Sequence, residues 1–331
     1  MRNSITVATF LILLACFPLP AQAQKVPTVY VGLVSITPSN APVLAGVDGG
    51  YFNKHGLDVK PLIMSGSSTA LSAMLAGEVG LISIAGSGLI NVHLAGRDAV
   101  MVAGMVNFAP YELIVAKEIT RLEDLKGKRI GIARFGGSAD FLARWGLEKN
   151  GLKPGKDVTI LQTGGNAERL AAVAQGAIQG TLLEQAFAHL AKKAGYRSIL
   201  DYSTIGLDYQ HNGIGTTKSY IAKNRDLLIR FMRALVEGIH RFKTDRAFGL
   251  KVMERHLRVS DADVIQTAYD YYAPKIATVP YTNLKGMKFL LDTIAESNPK
   301  AKTVKPEEMI ENSMLQEIEA SGFVKQLAAG K

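Results

Sequence analysis

The most constraining feature of this sequence is an alternation between short apolar runs and longer segments with helical periodicity. Residues 29–36, 57–64 and 81–85 are apolar runs of strand length, and each precedes small or turn-forming residues and then a helix-like segment. This alternation predicts a parallel sheet whose strands are joined by crossover helices. The predicted fold class is therefore α/β, with parallel-rich sheets and flanking helices.

The alternation occurs twice, which predicts two lobes. After predicted strands at residues 99–106 and 112–116, a second series begins at Leu122 and continues to about Gly206. Residues 225–243 then carry one apolar helix face, and the tail beyond Ser260 is mainly helical. We therefore expect lobe 1 to comprise residues 24–112 and 207–331 and lobe 2 to comprise residues 113–206. Two chain crossings between the lobes would form a hinge.

The first residues differ from the rest of the chain. After Arg2, residues 5–15 are almost wholly apolar, and Ala21 and Ala23 are small residues at alternate positions. This pattern predicts a secretory signal peptide of residues 1–23, because the apolar run is too short to span about 30 Å of hydrocarbon. Cys16, the only cysteine, resembles a lipid-attachment site, but the downstream Ala-x-Ala site favours cleavage after Ala23.

The net charge of +9 becomes +8 when Arg2 is removed with the signal peptide. A basic protein attracts anionic ligands, membrane surfaces or nucleic acid. The lysines and arginines are scattered, however, and form no run that is typical of a nucleic-acid-binding arm. The charge therefore favours an anionic small molecule over nucleic acid as a partner.

Polar and glycine-rich loops recur where predicted strands lead into predicted helices. Open α/β sheets bind ligands at these carboxyl ends, where backbone N–H groups and the helix dipole attract anions. Serine and asparagine at such positions are equally typical of helix N-caps. Two further residues have two interpretations each. Glu184 either faces the cleft or caps the next helix, and Phe108 either frames an apolar ligand or packs in the core. The candidate ligand-binding residues are Ser39, Asn40, Gly66, Ser67, Ser68, Gly86, Ser87, Phe108, Gly136, Gly137, Ser138, Asn166 and Glu184.

Motifs for other chemistry are incomplete. Gly136-Gly137-Ser138 lacks the lysine and spacing of a phosphate-binding P-loop, and no segment has a full dinucleotide fingerprint or a Gly-x-Ser-x-Gly elbow. No two histidines have the spacing of a zinc motif. We therefore expect no metal, no cofactor and no catalytic residues. His211 near the second crossing, and Arg134 as the arginine nearest the loops, remain residues of interest.

Several segments resemble the substrate-binding proteins of ABC importers. Residues 50–59 (GYFNKHGLDV), 66–68 (GSS), 76–80 (AGEVG) and 124–132 (DLKGKRIGI) are similar to the group that serves nitrate, aliphatic sulfonates, taurine and thiamine-precursor pyrimidines. The resemblance implies a two-lobed type II periplasmic-binding-protein fold with a two-stranded hinge. It also implies a periplasmic monomer that binds a small-molecule ligand and delivers it to a permease in the inner membrane.

The same resemblance makes Ser39, Asn40, Ser67, Ser68, Ser87, Gly137, Ser138 and Asn166 cleft residues. The sequence departs from the family pattern at residues 176–185, where Gln179 and the Glu184-Gln185 pair replace an aspartate and an acidic-proline pair. One alternative is an enzyme of the pyrimidine-synthase type on the same fold, whose chemistry relies on a cysteine-rich segment that this chain lacks. The other is a sensory ligand-binding protein.

Overall fold

Two mixed β-sheets organise the computed structural model, which describes residues 26–64, 67–257 and 259–330. The predicted signal peptide, Cys16 and Gly66 lie outside the described residues. Sheet A has the strand order β2-β1-β3-β10-β4, and sheet B has the order β7-β6-β8-β5-β9. The described strands are β1 (Thr28–Leu33), β2 (Asp58–Ile63), β3 (Leu81–Ile84), β4 (Val100–Val106), β5 (Tyr111–Val115), β6 (Arg129–Ile132), β7 (Thr159–Gln162), β8 (Gly180–Glu184), β9 (Arg197–Asp201) and β10 (Asn212–Thr216).

Helices flank both sheets. Among the described residues they are α1 (Ala41–Asp48), α2 (Tyr51–Lys54), α3 (Ser67–Ala76), α4 (Gly86–Leu94), α5 (Ser138–Lys149), α6 (Asn166–Ala174), α7 (Gln185–Lys193), α8 (Lys218–Thr244), α9 (Arg246–Leu257), α10 (Ala262–Tyr272), α11 (Leu284–Ser297), α12 (Ser313–Ala320) and α13 (Phe323–Ala328). No helix in this described part is long and apolar enough to cross a membrane. We call sheet A with its helices lobe 1 and sheet B with its helices lobe 2.

The chain crosses between the sheets twice. It leaves sheet A through residues 107–110, between β4 and β5, and returns through residues 202–211, between β9 and β10. Main-chain hydrogen bonds join the two crossings at both ends: His211 N donates to Val106 O at 2.9 Å, and Tyr202 N donates to Tyr111 O at 3.0 Å. The crossings therefore lie side by side, which agrees with the predicted two-lobed fold.

The C-terminal helices pack on lobe 1, and one of them also reaches lobe 2. Helix α8 packs on α1 so closely that a Cβ added to Gly238 would lie 2.6 Å from Gly46 N. Helix α10 packs against α7 of lobe 2, where His189 Nε2 lies 2.9 Å from Asp263 Oδ2. Because α10 touches both lobes, it can carry side chains into the space between them.

The predicted elements differ from the observed ones in three places. The helix-like segment that follows the first apolar run, residues 41–54, is divided into α1 and α2, because Gly50 adopts a left-handed conformation with φ 70°. Gly86, predicted in a loop, begins α4, and its N–H donates to Gln210 O at 3.2 Å. Strands β9 and β10 were missed. Antiparallel pairs of β10 in sheet A and of β5 in sheet B make both sheets mixed, with two of four strand pairings parallel in each.

Candidate functional site

A cleft lies between the two lobes at the carboxyl ends of β1, β6, β7 and β8. It contains a wide cavity of about 480 Å³ and a narrow cavity of about 80 Å³. The wide cavity has apolar walls that include Val34, Ile63, Met64 and Phe187. The residues that line both cavities are Val34, Ser35, Thr37, Tyr111, Ala133, Arg134 and Glu184. Side chains of both lobes therefore form one continuous site, at the edge where open α/β sheets bind ligands.

Glu184, the last residue of β8, is the centre of a buried hydrogen-bond network between the lobes. Its Oε2 accepts hydrogen bonds from Ser39 Oγ at 3.0 Å and from Tyr272 OH at 2.6 Å. Ser39 follows β1 and Tyr272 ends α10, so two elements of lobe 1 donate to one carboxylate of lobe 2. Because the carboxylate is 2% exposed, these bonds replace the water that would otherwise solvate it.

His211, at the end of the second crossing, extends this network. Its Nε2 lies 2.9 Å from Ser39 Oγ and its Nδ1 lies 3.0 Å from Ser138 Oγ. A neutral imidazole with its hydrogen on Nε2 satisfies both contacts: it donates to Ser39 and accepts from Ser138. The network thus runs from Tyr272 and Ser39 through His211 to Ser138 at the start of α5.

Burial shifts the pKa values of the ionisable groups in the network. Desolvation raises the pKa of Glu184 above its ordinary value, although the hydrogen bonds from Tyr272 and Ser39 oppose this shift. Desolvation also lowers the pKa of His211 to about 3 and holds the pKa values of Tyr111 and Tyr272 well above their usual range. His211 is therefore neutral at physiological pH.

Ser138, His211 and Glu184 are the residue types of a hydrolytic triad, but their geometry differs from one. His211 Nε2 is 4.0 Å from Glu184 Oε1, and Ser39 Oγ lies within hydrogen-bonding distance of both side chains. A histidine with a pKa of about 3 is a weak base near neutral pH, so it would remove a proton from Ser138 poorly. The arrangement is better suited to joining the lobes and presenting polar atoms to a ligand.

A buried arginine supports the start of α6 on the other side of the cleft. The Arg169 guanidinium donates to Gly164 O at 2.7 Å, Asn166 Oδ1 at 2.6 Å and Leu182 O at 2.9 Å. Its Nε is buried without a hydrogen-bond partner, and the side chain lines the wide cavity. Glu168 lies in the first turn of α6 and lines the same cavity, so its carboxylate already offsets part of the positive charge at this end of the cleft.

Arg134 is the exposed cation of the cleft. It follows β6, lines both cavities and forms no ion pair or side-chain hydrogen bond with any residue that the structure describes. An unpaired guanidinium can bind a carboxylate, sulfonate or phosphate through two parallel hydrogen bonds. Arg134 is therefore available to a ligand.

Four of the predicted site residues line the cleft directly. Gly137 and Ser138 border the narrow cavity, Asn166 borders the wide one, and Glu184 borders both. Ser39 is buried behind them and reaches the site through Glu184 and His211. The sequence thus identified residues from both lobes that the fold brings together.

The other predicted residues have different surroundings. Asn40 faces the interior of lobe 1, where its Nδ2 donates to Ser35 O at 2.8 Å. Ser87 Oγ donates to Gly136 O at 3.1 Å, which joins α4 to the loop before α5. Gly136, with φ 78°, borders a separate cavity beside α5 and α11. Ser67 and Ser68 begin α3, and Gly66 is not described.

Phe108 and Gly86 also lie outside the cleft, where they pack against later parts of the chain. The Phe108 ring packs against Tyr271 and Tyr272, with centroid distances of 5.7 and 5.8 Å. Gly86 is buried under Leu290 and Gln210, where an added Cβ would lie 2.7 and 2.8 Å from their atoms. The C-terminal part of the chain packs against both positions, so neither side of the cleft is formed by them.

Asp140, in the first turn of α5, stabilises the loop before its helix. Its carboxylate accepts hydrogen bonds from Gly136 N and Arg144 Nε, both at 2.8 Å. Sequence reasoning missed Tyr272 and Arg169, which lie inside helices with no local motif. Within the described ranges, no group of three or more histidine, cysteine or acidic residues could hold a metal ion.

Comparison with known proteins agrees with this architecture. The Bacillus subtilis protein YtlA is 24% identical over 291 residues, which covers 85% of this chain and 87% of YtlA. A protein structure from Bordetella bronchiseptica RB50 has a TM-score of 0.80 at 19% identity and covers 89% of this chain and 97% of its own.

Two further solved structures have names that describe a binding role. The ligand binding component of an ABC-type import system from Staphylococcus aureus, solved with zinc bound, has a TM-score of 0.72 at 14% identity, with 88% and 98% coverage of this and that chain. The aliphatic sulphonate binding protein SsuA from Escherichia coli has a TM-score of 0.68 at 18% identity, with 86% and 92% coverage. These similarities show a two-lobed periplasmic-binding-protein fold. The family model described as NMT1/THI5 like matches residues 37–245, more than half of the sequence, and the chain therefore belongs to the NMT1/THI5-like family.

Proposed function

We propose that this protein is the exported solute-binding component of an ABC importer, and that it binds a small polar or anionic organic molecule between its lobes. The cleft carries this proposal, because both lobes contribute side chains to one continuous site and two adjacent crossings connect them. Such a site can bind a ligand differently in its open and closed states, and that difference in affinity drives closure.

The site residues of this proposal are those that line the cleft or support its polar atoms. They are Ser39, Gly137, Ser138, Asn166 and Glu184 from the predicted set, joined by Thr37, Tyr111, Arg134, Arg169 and His211. We place the lobe boundaries within the two crossings, at residues 107–110 and 202–211, close to the predicted boundaries.

The size and lining of the cleft favour an organic ligand over a bare oxyanion. A cavity of about 480 Å³ is in the range of sites that hold drug-sized molecules. Nitrate has four heavy atoms and would leave most of the apolar wall uncovered. Arg134 supplies the positive charge that an organic anion would use.

The partners follow from the same proposal. The open and closed forms would be distinguished by a membrane permease, and the protein would act as a periplasmic monomer without nucleic acid. The two binding proteins from Staphylococcus aureus and Escherichia coli named above support this assignment by their fold. The pyrimidine-synthase alternative has less support, because the sequence contains a single cysteine.

Isothermal titration calorimetry with nitrate, short sulfonates, carboxylates and pyrimidines tests the proposal, together with small-angle scattering to detect closure. We expect one class of organic anion to bind and to reduce the radius of gyration. Arg134→Gln should weaken that binding by at least tenfold, since it removes the unpaired cation. Arg129→Gln, an exposed arginine at the other end of β6, is the matched control and should leave binding unchanged.

Binding without compaction would favour the sensory alternative or an enzyme. The absence of both binding and compaction across the whole panel would contradict the proposed function.

A further inference from the structure

A second cavity lies in lobe 1 beside the cleft. It has a volume of about 300 Å³ between α1, β2 and α9. Six apolar residues line it, Leu33, Ile36, Leu44, Val47, Pro61 and Ile63, and the rest of the lining is Ser35, Thr37, Asn40, Arg255 and His256. An apolar surface that the protein's own side chains leave accessible, and that polar residues surround, is typical of a binding site for an apolar group.

The wall between this cavity and the cleft is thin. Ser35, Ile36 and Thr37 follow β1 and line both the lobe 1 cavity and the wide cavity of the cleft. Ile63 also lines both, and it is 55% exposed at the end of the edge strand β2. Rotation of Ile36 and Ile63 would therefore connect the two cavities without movement of buried strands.

The charges at the rim of the lobe 1 cavity are already paired. Arg255 Nη1 and His256 Nε2 each lie 3.1 Å from a different carboxylate oxygen of Asp48. Asp48 thus contacts both basic side chains at the rim. Arg134, on the far side of the shared wall, is unpaired. The unpaired positive charge therefore lies in the cleft, and the accessible apolar surface lies in the lobe 1 cavity on the other side of the shared wall.

We propose that the ligand is an elongated organic monoanion whose charged head lies in the cleft beside Arg134 and whose hydrocarbon tail enters the lobe 1 cavity. This inference rests on the proposed function for the cleft and adds the length and polarity of the ligand. A second negative charge at the far end would be buried against the apolar lining, so a dianion of equal length should bind more weakly.

Two homologous series test the proposal: straight-chain carboxylates from acetate to decanoate, and alkanesulfonates of matching length, each measured by titration calorimetry. Comparison of the two series shows whether the site prefers a carboxylate or a sulfonate head group. Pro61→Asp places a charge in the lobe 1 cavity, and Val47→Phe reduces its volume; neither residue lines the cleft. Leu62→Asp is the matched control, because Leu62 lies next to Pro61 on the opposite face of β2 and lines neither cavity.

We expect affinity to rise about fourfold for each added methylene in the wild-type protein and in the Leu62→Asp variant. In Pro61→Asp and Val47→Phe the rise should stop at the chain length that fills the cleft, while the short members bind as in wild type. The azelate dianion should bind at least tenfold more weakly than nonanoate.

Two results would overturn the inference. The first is a wild-type affinity that does not depend on chain length, and the second is an unchanged series in both cavity variants, which would place the tail within the cleft. In both cases short anions that bind and compact the protein would leave the proposed function intact. No binding by any member of either series would also overturn the inference, whereas the proposed function would be contradicted only if nitrate and the pyrimidines failed to bind as well.

Discussion

The hydrogen bond from Tyr272 to Glu184 permits a sharp test of the network between the lobes. Tyr272→Phe removes one oxygen and leaves the ring contacts with Phe108 and Tyr271 in place. The lost bond is 2.6 Å long, buried and made to a carboxylate, a class of hydrogen bond that contributes about 1.5–3 kcal/mol. We therefore expect the free energy of unfolding at neutral pH to fall by about 2 kcal/mol.

The same helix provides the control. Tyr269 OH donates to the main-chain Phe242 O at 2.9 Å, within lobe 1. Because this acceptor is neutral, Tyr269→Phe should cost only about 1 kcal/mol. Urea denaturation followed by circular dichroism measures both variants against the wild-type protein.

The pH dependence separates the two variants further. The pKa of Glu184 in the folded protein is raised above its ordinary value, so the folded state holds this proton to a higher pH than the unfolded state does. The contribution of Glu184 to stability is therefore fully present below the ordinary carboxyl pKa and is lost as the pH rises through the raised value. Removal of the Tyr272 donor raises the pKa further and increases that loss.

The cost of Tyr272→Phe should thus grow as the pH rises through the pKa of Glu184, while the cost of Tyr269→Phe should not depend on pH. The reasoning would be refuted if the two variants cost the same, or if the Tyr272→Phe cost were constant between acidic and neutral pH.

Three further predictions concern other contacts. Burial lowers the pKa of His211 to about 3, so stability should be lost as the pH falls from about 6.5 towards 3; His211→Gln should abolish this loss in acid denaturation curves. Gly238→Ala should lower the free energy of unfolding by about 1–3 kcal/mol in urea, because the new Cβ would press on Gly46 of α1; wild-type stability would contradict the close packing. Ser87→Ala removes the hydrogen bond to Gly136 O and should weaken closure by about 1 kcal/mol, seen as a larger average radius in scattering; an unchanged radius would show that this bond does not hold the lobes together.

Much of the fold was predictable because local patterns and the global fold agree. The apolar runs that became β1, β2 and β3 are bounded by turn residues and followed by helical segments, so each could be recognised on its own. Strand β10 could not be recognised from its own sequence. Its sequence, Asn212–Thr216, contains two glycines and has little strand propensity, and its place is fixed by β3 and β4 on either side.

The candidate site was predictable only where it lies on loops. Ser138, Asn166 and Glu184 stand where a strand gives way to a helix, and that position alone suggested a ligand contact. Tyr272 and Arg169 lie within helices. A buried helical side chain has the same sequence pattern whether it packs in the core or contributes to a binding site. The Phe108 ring packs against residues more than 160 positions later in the chain, a contact that no local pattern contains.

The order of strands in sheet A has a consequence for biosynthesis. The strand β10 separates β3 from β4, yet it is made only after the whole of lobe 2. During translation, β3 and β4 therefore present unpaired N–H and C=O groups until residues 212–216 emerge, and exposed strand edges are templates for association with other chains. Lobe 2, whose five strands are consecutive, has no such delay. A nascent chain that ends before Asn212 should consequently depend on chaperones far more than one that ends a few residues after Thr216.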